Sequence, residues 1–248
     1  MKIFDAHLHI IDPRFPLTEN QGYLPPAFTV SDYLQSVKGF EVTGGVIVSG
    51  SFQGFDQSYL LDALETLGAR FAGVTQLPAD TSDEEILELH KKGVRAVRFN
   101  VKRGGSETIE RLDHFARRVH DIAGWHAELY IDSNDLEELK DTISQLPSVS
   151  IDHLGLSKAG FPDVLKLVDQ GVKVKATGFG RIDFDPSDAV RAIHEIDPEA
   201  LLFGTDLPST RAKTPFRASD VTIIQETLGG TEAEKVLYLN ALKWYGIE

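Results

Sequence analysis

Histidine and aspartate side chains stand at the ends of several short apolar segments. The opening segment FDAHLHI places His7 and His9 two positions apart, and Asp5 lies on the same face. Residues i and i+2 of a β-strand point the same way, so both imidazoles are expected to reach one site, with Asp5 deeper, anchoring a barrel floor. His153 in IDHLG and Asp206 in FGTDLP also follow apolar segments. Burying four polar or charged side chains in one core costs free energy, which must be offset by hydrogen bonds or ion pairs unless the groups have a function. The set therefore indicates a catalytic or metal-binding site.

The elements that must position these groups alternate regularly along the chain. Eight short segments, rich in β-branched residues and bounded by Gly, Pro, Asp or Ser, predict buried parallel strands at 2–9, 44–50, 71–77, 94–100, 126–132, 148–154, 172–178 and 201–206. Amphipathic helical patterns between them include 55–68, 82–93, 107–124, 133–147 and 187–196. Strands that are each followed by a helix predict an α/β fold, a (β/α)8 TIM barrel, and 248 residues is a usual length for one.

We interpret residues 1–248 as a single barrel domain. A doubly wound open sheet is the alternative, but it needs a Gly-rich phosphate turn after the first strand, and HIIDPRFP has none. The one irregular segment is 11–43, an extended loop after strand one that carries four of the eleven prolines. In a barrel this loop would lie on the C-terminal face, where it could cover the active site.

Further polar side chains end the predicted strands and are expected around the same site: Ser51, Gln53, Gln76, Arg98, Asn100, Tyr130, Asp132 and Arg181. Asp132 is interpreted as a helix cap, and Arg98 either faces the pocket or forms an ion pair inside the barrel. Arg103, Arg211 and Lys213 lie in loops, where they either steer an anion or are solvated.

Composition narrows the classes of partner. The net charge is −13 and the pI is about 5.0, so neither nucleic acid nor an anionic membrane surface is an expected partner. A small anionic substrate remains compatible with locally gathered arginines. The chain has no cysteine, which excludes disulfides and thiolate metal sites. The opening MKIFDAHLHI lacks the pattern of a secretory signal, and we expect a cytoplasmic protein, either a monomer or a homo-oligomer.

Several motifs, taken in order, resemble the amidohydrolase superfamily. DAHLHI on strand one, DHLG on strand six and FGTDLP on strand eight are similar to its signatures. GVRAVRFNVKRGG, WHAELYID and GYLPPAFTVSDYL resemble the amidohydrolase-2 branch, which contains pyrone-dicarboxylate and sugar lactonases and decarboxylases. An HxH pair alone is a weak signal, whereas the ordered set covers most of the chain and is specific.

The resemblance implies a TIM barrel hydrolase that opens a small carboxylated lactone. Asp206 would activate water, and His7, His9 and His153, neutral or cationic, would polarise the lactone carbonyl and stabilise the oxyanion. The implied substrate contacts, which include carboxylate-binding arginines, are Arg98, Arg103, Arg181, Tyr130, Ser51, Asn100 and Tyr23. The lactonases carry an arginine after DHxG, where this chain has Leu156. One carboxylate contact is therefore expected to be missing, and the substrate to differ.

The resemblance also bears on metal binding. Metal-dependent amidohydrolases add a strand-five histidine or a carboxylated lysine to the HxH pair, whereas Tyr130 stands at that position with no lysine beside it. We therefore expect no required cofactor and no metal ligands. The alternative is one divalent cation such as Zn²⁺ held by His7, His9 and Asp206 with water, in a metal-dependent decarboxylase or amide hydrolase. A binding protein without catalysis is disfavoured, because the predicted catalytic groups are all present.

Overall fold

The chain folds into eight parallel strands, each hydrogen-bonded to the next in sequence order. The computed structural model describes residues 1–247. The strands are β1 (Lys2–Leu8), β2 (Glu41–Val48), β3 (Phe71–Thr75), β4 (Val94–Phe99), β5 (His126–Leu129), β6 (Val149–Ile151), β7 (Lys173–Ala176) and β8 (Leu201–Phe203). Helices lie between them, so the predicted TIM barrel is confirmed.

Backbone hydrogen bonds just beyond the strand ends close the seam between β8 and β1. Asp206 N donates to His7 O at 2.7 Å, and His9 N donates to Leu207 O at 2.8 Å. A Cβ at Gly204 would lie 2.6 Å from the His7 nitrogen, so only glycine allows the two segments to approach this closely. The seam thereby places three of the predicted site residues side by side.

Asp5 also belongs to this seam and not to the barrel floor, where we expected it. Its carboxylate accepts hydrogen bonds from Thr205 N at 2.8 Å and Thr205 Oγ1 at 2.7 Å, and from Tyr33 OH at 2.9 Å. The floor is apolar and includes Tyr245 from the C-terminal helix. β1 shifts its register against β2 between Asp5 and Leu8, so the regular i, i+2 spacing from which the floor position was inferred is interrupted here.

The helices surround the barrel and bury one face each. They are α1 (Val30–Ser36), α2 (Ser58–Leu67), α3 (Asp83–Lys91), α4 (Leu112–Ala123), α5 (Lys140–Ser144), α6 (Phe161–Asp169), α7 (Pro186–Ile196), α8 (Ala218–Leu228), α9 (Gly230–Glu234) and α10 (Asn240–Tyr245). In α4 the buried residues Leu112, Phe115, Ala116 and Val119 follow the i, i+3, i+4, i+7 spacing of an amphipathic helix. Among residues 1–247, no helix combines the length and apolar character of a membrane span.

The segment 11–43, which we expected to be irregular, contains α1, and β2 already begins at Glu41. The Thr29 side chain accepts from Asp32 N while the Asp32 carboxylate accepts from Thr29 N, which forms a capping box at the start of α1. Tyr33 is fully buried and anchors the helix to the barrel. Before α1, the segment contacts the loops at the strand ends: Thr18 N donates to Phe52 O at 2.7 Å, and Asn20 Nδ2 donates to Arg103 O at 3.1 Å.

The helix predicted over 133–147 is shorter than expected. Only Lys140–Ser144 is α-helical, and a 3₁₀ turn covers Ser133–Asp135. Asp132 caps that turn through a hydrogen bond from Asn134 N at 3.1 Å, so the interpretation of Asp132 as a cap is confirmed.

Candidate active site

The structure brings His7, His9 and Asp206 together at the C-terminal mouth of the barrel. Asp206 Oδ1 lies 4.0 Å from His7 Nε2 and 3.7 Å from His9 Nε2. The two imidazole rings are 5.0 Å apart and nearly perpendicular. His9 Nδ1 lies 2.7 Å from the Val48 carbonyl oxygen, which can only accept, so Nδ1 carries a hydrogen and Nε2 faces the site.

His153 joins this cluster from the end of β6. Its ring centroid lies 4.9 Å from that of His7 and 5.1 Å from that of Tyr130, which it meets edge to face. A Cβ at position 178 would lie 2.5 Å from His153 Nδ1, so Gly178 leaves the space that the imidazole occupies. His153 Nδ1 is buried and has no hydrogen-bond partner among residues 1–247. The ring is therefore held by packing.

Arg181 controls the charge of Asp206. Its Nε donates to Asp206 Oδ2 at 2.7 Å, and its Nη2 donates to the Thr210 carbonyl at 2.8 Å. Burial alone would raise the pKa of Asp206, but Arg181 and then His153 hold it well below its usual range. The carboxylate is therefore ionised, with Oδ2 bound and Oδ1 facing the imidazoles without a hydrogen-bond partner in the described chain.

Two of these residues adopt left-handed backbone conformations. The φ angles of His153 and Asp206 are +51° and +60°. A non-glycine residue pays conformational strain there, and such strain persists only where the surroundings fix it, most often at functional sites. The observation supports the assignment of these two strand ends to the active site.

A buried charge network lies beneath the cluster, and the sequence analysis named only Arg98 among its members. Lys175 Nζ lies 2.5 Å from Glu128 Oε2, and Arg98 Nη2 donates to Asp152 Oδ2 at 2.6 Å. All four side chains are almost completely inaccessible to solvent. Asp152 Oδ1 lies 3.4 Å from His7 Nδ1, so the network reaches the catalytic cluster directly.

A lysine lies near the site in space, although none stands beside Tyr130 in the sequence. Lys175 Nζ is 3.4 Å from His7 Nδ1, although it comes from β7 and not from the segment around Tyr130. The lysine was missed because the two lysines of the short strand VKVKATG have no visible partner in the sequence. Its spacing two positions after Lys173, on one face of a strand, was the available signal.

Burial keeps His7 and His153 neutral. It lowers the pKa of His153 to about 4 and that of His7 well below its ordinary value, against the opposing effect of nearby carboxylates. Burial and the neighbouring Asp152 raise the pKa of Glu128 to about 7. The expected cationic form is therefore not favoured for His7 and His153, and they can act as neutral N–H donors or as lone-pair ligands.

The cluster also fits a divalent cation. Ligand atoms of His7, His9 and Asp206 lie within 4.8 Å of one another, and so do those of His7, Asp152 and His153. His7 Nε2 and Asp206 Oδ1 are both buried without a hydrogen-bond partner among residues 1–247. Two imidazoles and one carboxylate are a usual ligand set for catalytic zinc. The donor set therefore suits a cation as well as direct contact with substrate.

A cavity opens above the cluster and collects most of the predicted substrate contacts. Its lining includes His9, Ser51, Arg98, Asn100, Arg103, Tyr130, His153 and Arg181, and also Phe52, Thr210 and Arg211. Tyr23 is not part of that lining. Its ring instead packs under the Arg211 guanidinium, 4.4 Å from the ring centroid, so it reaches the cavity only through Arg211.

Arg98 lies in the cavity wall but is largely engaged within the barrel. Its Nε and Nη2 donate to Asp152 Oδ2, and its Nη1 donates to the Ser49 carbonyl at 2.7 Å. The structure thus shows the ion pair that the sequence analysis held open. Its role as a carboxylate contact stays a prediction, as do those of the other cavity residues.

The comparisons with known proteins agree with this architecture. The amidohydrolase family model matches residues 4–247. The chain belongs to the amidohydrolase family. It is a hydrolase, in agreement with the resemblance of its motifs.

Relatives of this amidohydrolase act on lactones according to their names. A 4-sulfomuconolactone hydrolase of Rhizobium radiobacter is 31% identical over 88% of this chain and 79% of its own. A 2-pyrone-4,6-dicarboxylate hydrolase of Comamonas testosteroni is 35% identical over 66% of this chain and 54% of its own. A Pseudomonas putida crystal structure, described as a 2-pyrone-4,6-dicarboxylic acid hydrolase, has a TM-score of 0.81 at 25% identity, covering 99% of this chain and 98% of that one.

Proposed function

We propose that this amidohydrolase opens a small anionic lactone by hydrolysis. The observation that carries the proposal is the ionised Asp206 between three imidazoles, at the base of a cavity with arginines in its wall. Relatives of the chain are named as hydrolases of acidic lactones, which supports the same substrate class here.

In the proposed complex, the acid group of the substrate pairs with Arg103 and Arg181. Guanidinium groups bind carboxylates or sulfonates through paired hydrogen bonds. Both arginines line the cavity together with Tyr130, whose ring offers a flat surface for the lactone. The lactone carbonyl then lies over the histidine cluster.

Asp206 is the proposed general base. Its Oδ1 accepts a proton from water as the water oxygen attacks the lactone carbonyl carbon, while Arg181 holds Oδ2. The neutral imidazoles of His7 and His153 donate N–H hydrogen bonds to the developing oxyanion. The ring C–O bond then breaks, and the leaving oxygen takes up the proton from Asp206. The products are a hydroxy carboxylate and, at neutral pH, one released proton.

The metal-free reaction remains our prediction, and a metal-dependent decarboxylase or amide hydrolase is the second candidate. The three converging ligand atoms of His7, His9 and Asp206 favour it. A divalent cation held there would polarise the substrate carbonyl and lower the pKa of bound water. The chain's own arginines would bind the substrate acid group in the same way.

The test is proton release from a panel of carboxylated lactones, measured with a pH indicator before and after chelation. We expect turnover by the chelated enzyme and a loss of at least about a hundredfold in kcat for Asp206→Asn. The control is Asp197→Asn, which removes a carboxylate that pairs with Lys173 at 3.0 Å at the other end of the barrel. Activity restored only by zinc would select the metal-dependent candidate, and an active Asp206→Asn enzyme would refute the assigned base.

A further inference from the structure

A second cavity adjoins the active-site cavity on its outer side. The two share Arg103, Tyr130, Arg181 and Arg211 in their walls, so these four side chains border both. We call the second one the outer pocket; its own lining includes Lys102, Leu156 and Lys213, together with Asp132 and Asp183. The outer pocket is therefore the nearest neighbouring cavity for a group that extends from a substrate bound over the histidines.

The carboxylates of the outer pocket are already engaged. Asp132 Oδ2 lies 2.6 Å from Lys102 Nζ, and Asp183 Oδ1 accepts from Lys158 N at 2.6 Å. Asp132 is thus paired with a cation, whereas Asp183 bonds a backbone amide and keeps its charge; neither carboxylate forms an ion pair with the other cations of the pocket.

Three cations at this rim have no carboxylate partner among residues 1–247: Arg103, Arg211 and Lys213. Arg211 donates to the carbonyl and side-chain oxygens of Asn20, and Arg103 donates to Gln21 Oε1 at 3.4 Å. Unpaired cations gathered at one place are unexpected in a chain with 38 acidic and 25 basic residues. Like charges in proximity repel, and a bound anion relieves that repulsion.

Leu156 supplies an apolar surface between these cations. Its φ angle is +68°, a left-handed conformation that a branched side chain rarely adopts. The conformation is held by hydrogen bonds from Leu156 N to His153 O at 2.9 Å and from Asp183 N to Leu156 O at 3.3 Å. The same strained turn thus carries a catalytic-cluster histidine and, three residues later, the apolar wall of the outer pocket.

We propose that the outer pocket is a subsite for a short side chain on the lactone ring that ends in a carboxylate or sulfonate. Leu156 contacts the carbon chain, and Arg211 and Lys213 pair with the terminal anion. The proposal rests on the proposed lactone hydrolysis and specifies its substrate as one with an acidic side chain, beyond the acid group held by Arg103 and Arg181.

The test compares two γ-lactones that differ only at the end of the side chain, one a carboxymethyl lactone and the other its methyl ester. For Lys213→Glu we expect KM of the acid to rise about tenfold, with kcat and both constants of the ester within twofold of wild type. Lys213 is exposed, so the variant is expected to fold. Lys38→Glu is the matched control, since it makes the same charge change on an exposed side chain that follows α1, outside both cavity linings, and should leave all constants unchanged.

Equal effects on the acid and the ester, or equal effects of the two variants, would overturn the subsite. If wild type opens neither lactone, the proposed function fails, and the subsite is decided by binding. Calorimetry then compares the ring-opened dicarboxylate with its monoester. Tighter binding of the dicarboxylate that is lost in Lys213→Glu supports the subsite, and equal binding refutes it.

Discussion

Replacing Lys175 with methionine should destabilise the protein strongly, although the two side chains have similar volumes. Lys175 and Glu128 are both completely buried with their charged atoms 2.5 Å apart, so the variant leaves Glu128 as a buried charge beside Asp152. Removing one partner of a buried ion pair costs about 3–5 kcal/mol. With an m-value of about 3 kcal/mol/M, the midpoint of urea unfolding should fall by about 1–1.7 M.

The loss should also depend on pH. Because the pKa of Glu128 is already raised to about 7, it can take up a proton in Lys175→Met, which removes the unpaired charge. We therefore expect a smaller loss at pH 6 than at pH 8. Adding Glu128→Gln should recover about 2 kcal/mol at pH 8, since the double variant contains no unpaired charge at this position.

The matched control is Lys173→Met, two positions earlier on β7. Lys173 pairs with Asp197 at the partly exposed end of the barrel, and its loss should cost about 1 kcal/mol or less. If the effects of Lys175→Met and Glu128→Gln simply add, or if the loss equals that of the control, the two buried charges do not stabilise each other and the reasoning is refuted.

Two further perturbations test neighbouring parts of the site. Burial raises the pKa of Asp5 to about 6, so the native state holds a proton that the unfolded chain releases, and stability should fall by up to about 3 kcal/mol between pH 4 and 6. Urea unfolding of Asp5→Asn should lack this slope, and an unchanged slope would contradict the assignment. Gly178→Ala places a Cβ 2.5 Å from His153 Nδ1 and should lower kcat at least tenfold. Gly171→Ala shares the left-handed φ but has no neighbour within 4 Å, so steady-state assays should show unchanged kcat; equal losses would exclude displacement of His153.

The sequence predicted the barrel because its signals are local. Each strand is a short apolar segment with its own boundaries, and all eight predicted segments overlap an observed strand, with ends that differ by a few residues. The strand-end groups His7, His9, His153 and Asp206 were visible for the same reason, since parallel strands bring their ends together. Even α1 had a local signal, the TVSD capping box, which was outweighed by the prolines before it.

The buried charges could not be predicted in the same way. Whether Glu128 or Lys175 is solvated, catalytic or paired depends on which strands face each other across the barrel. The sequence of either segment alone does not give the distance between the two side chains. Arg98 illustrates the limit: its position at a strand end was clear, but the structure was needed to show that Asp152 engages it. Tyr23 shows a second limit. The sequence analysis placed this loop residue among the substrate contacts, but in the structure its ring packs against Arg211.

The balance of these buried charges bears on how an anionic substrate can react. Three cations and three carboxylates compensate one another beneath the mouth, namely Arg98 and Lys175 with Glu128 and Asp152, and Arg181 with Asp206. Because His7 and His153 are neutral, this layer has no net positive charge that could stabilise a developing oxyanion. A metal-free reaction must therefore draw on N–H donors and on the unpaired Arg103 and Arg211, which the substrate meets only through its acid groups. A cation at the histidines would supply that charge directly. The metal-free reaction therefore depends on the acid groups of the substrate more strongly than the metal-dependent reaction does.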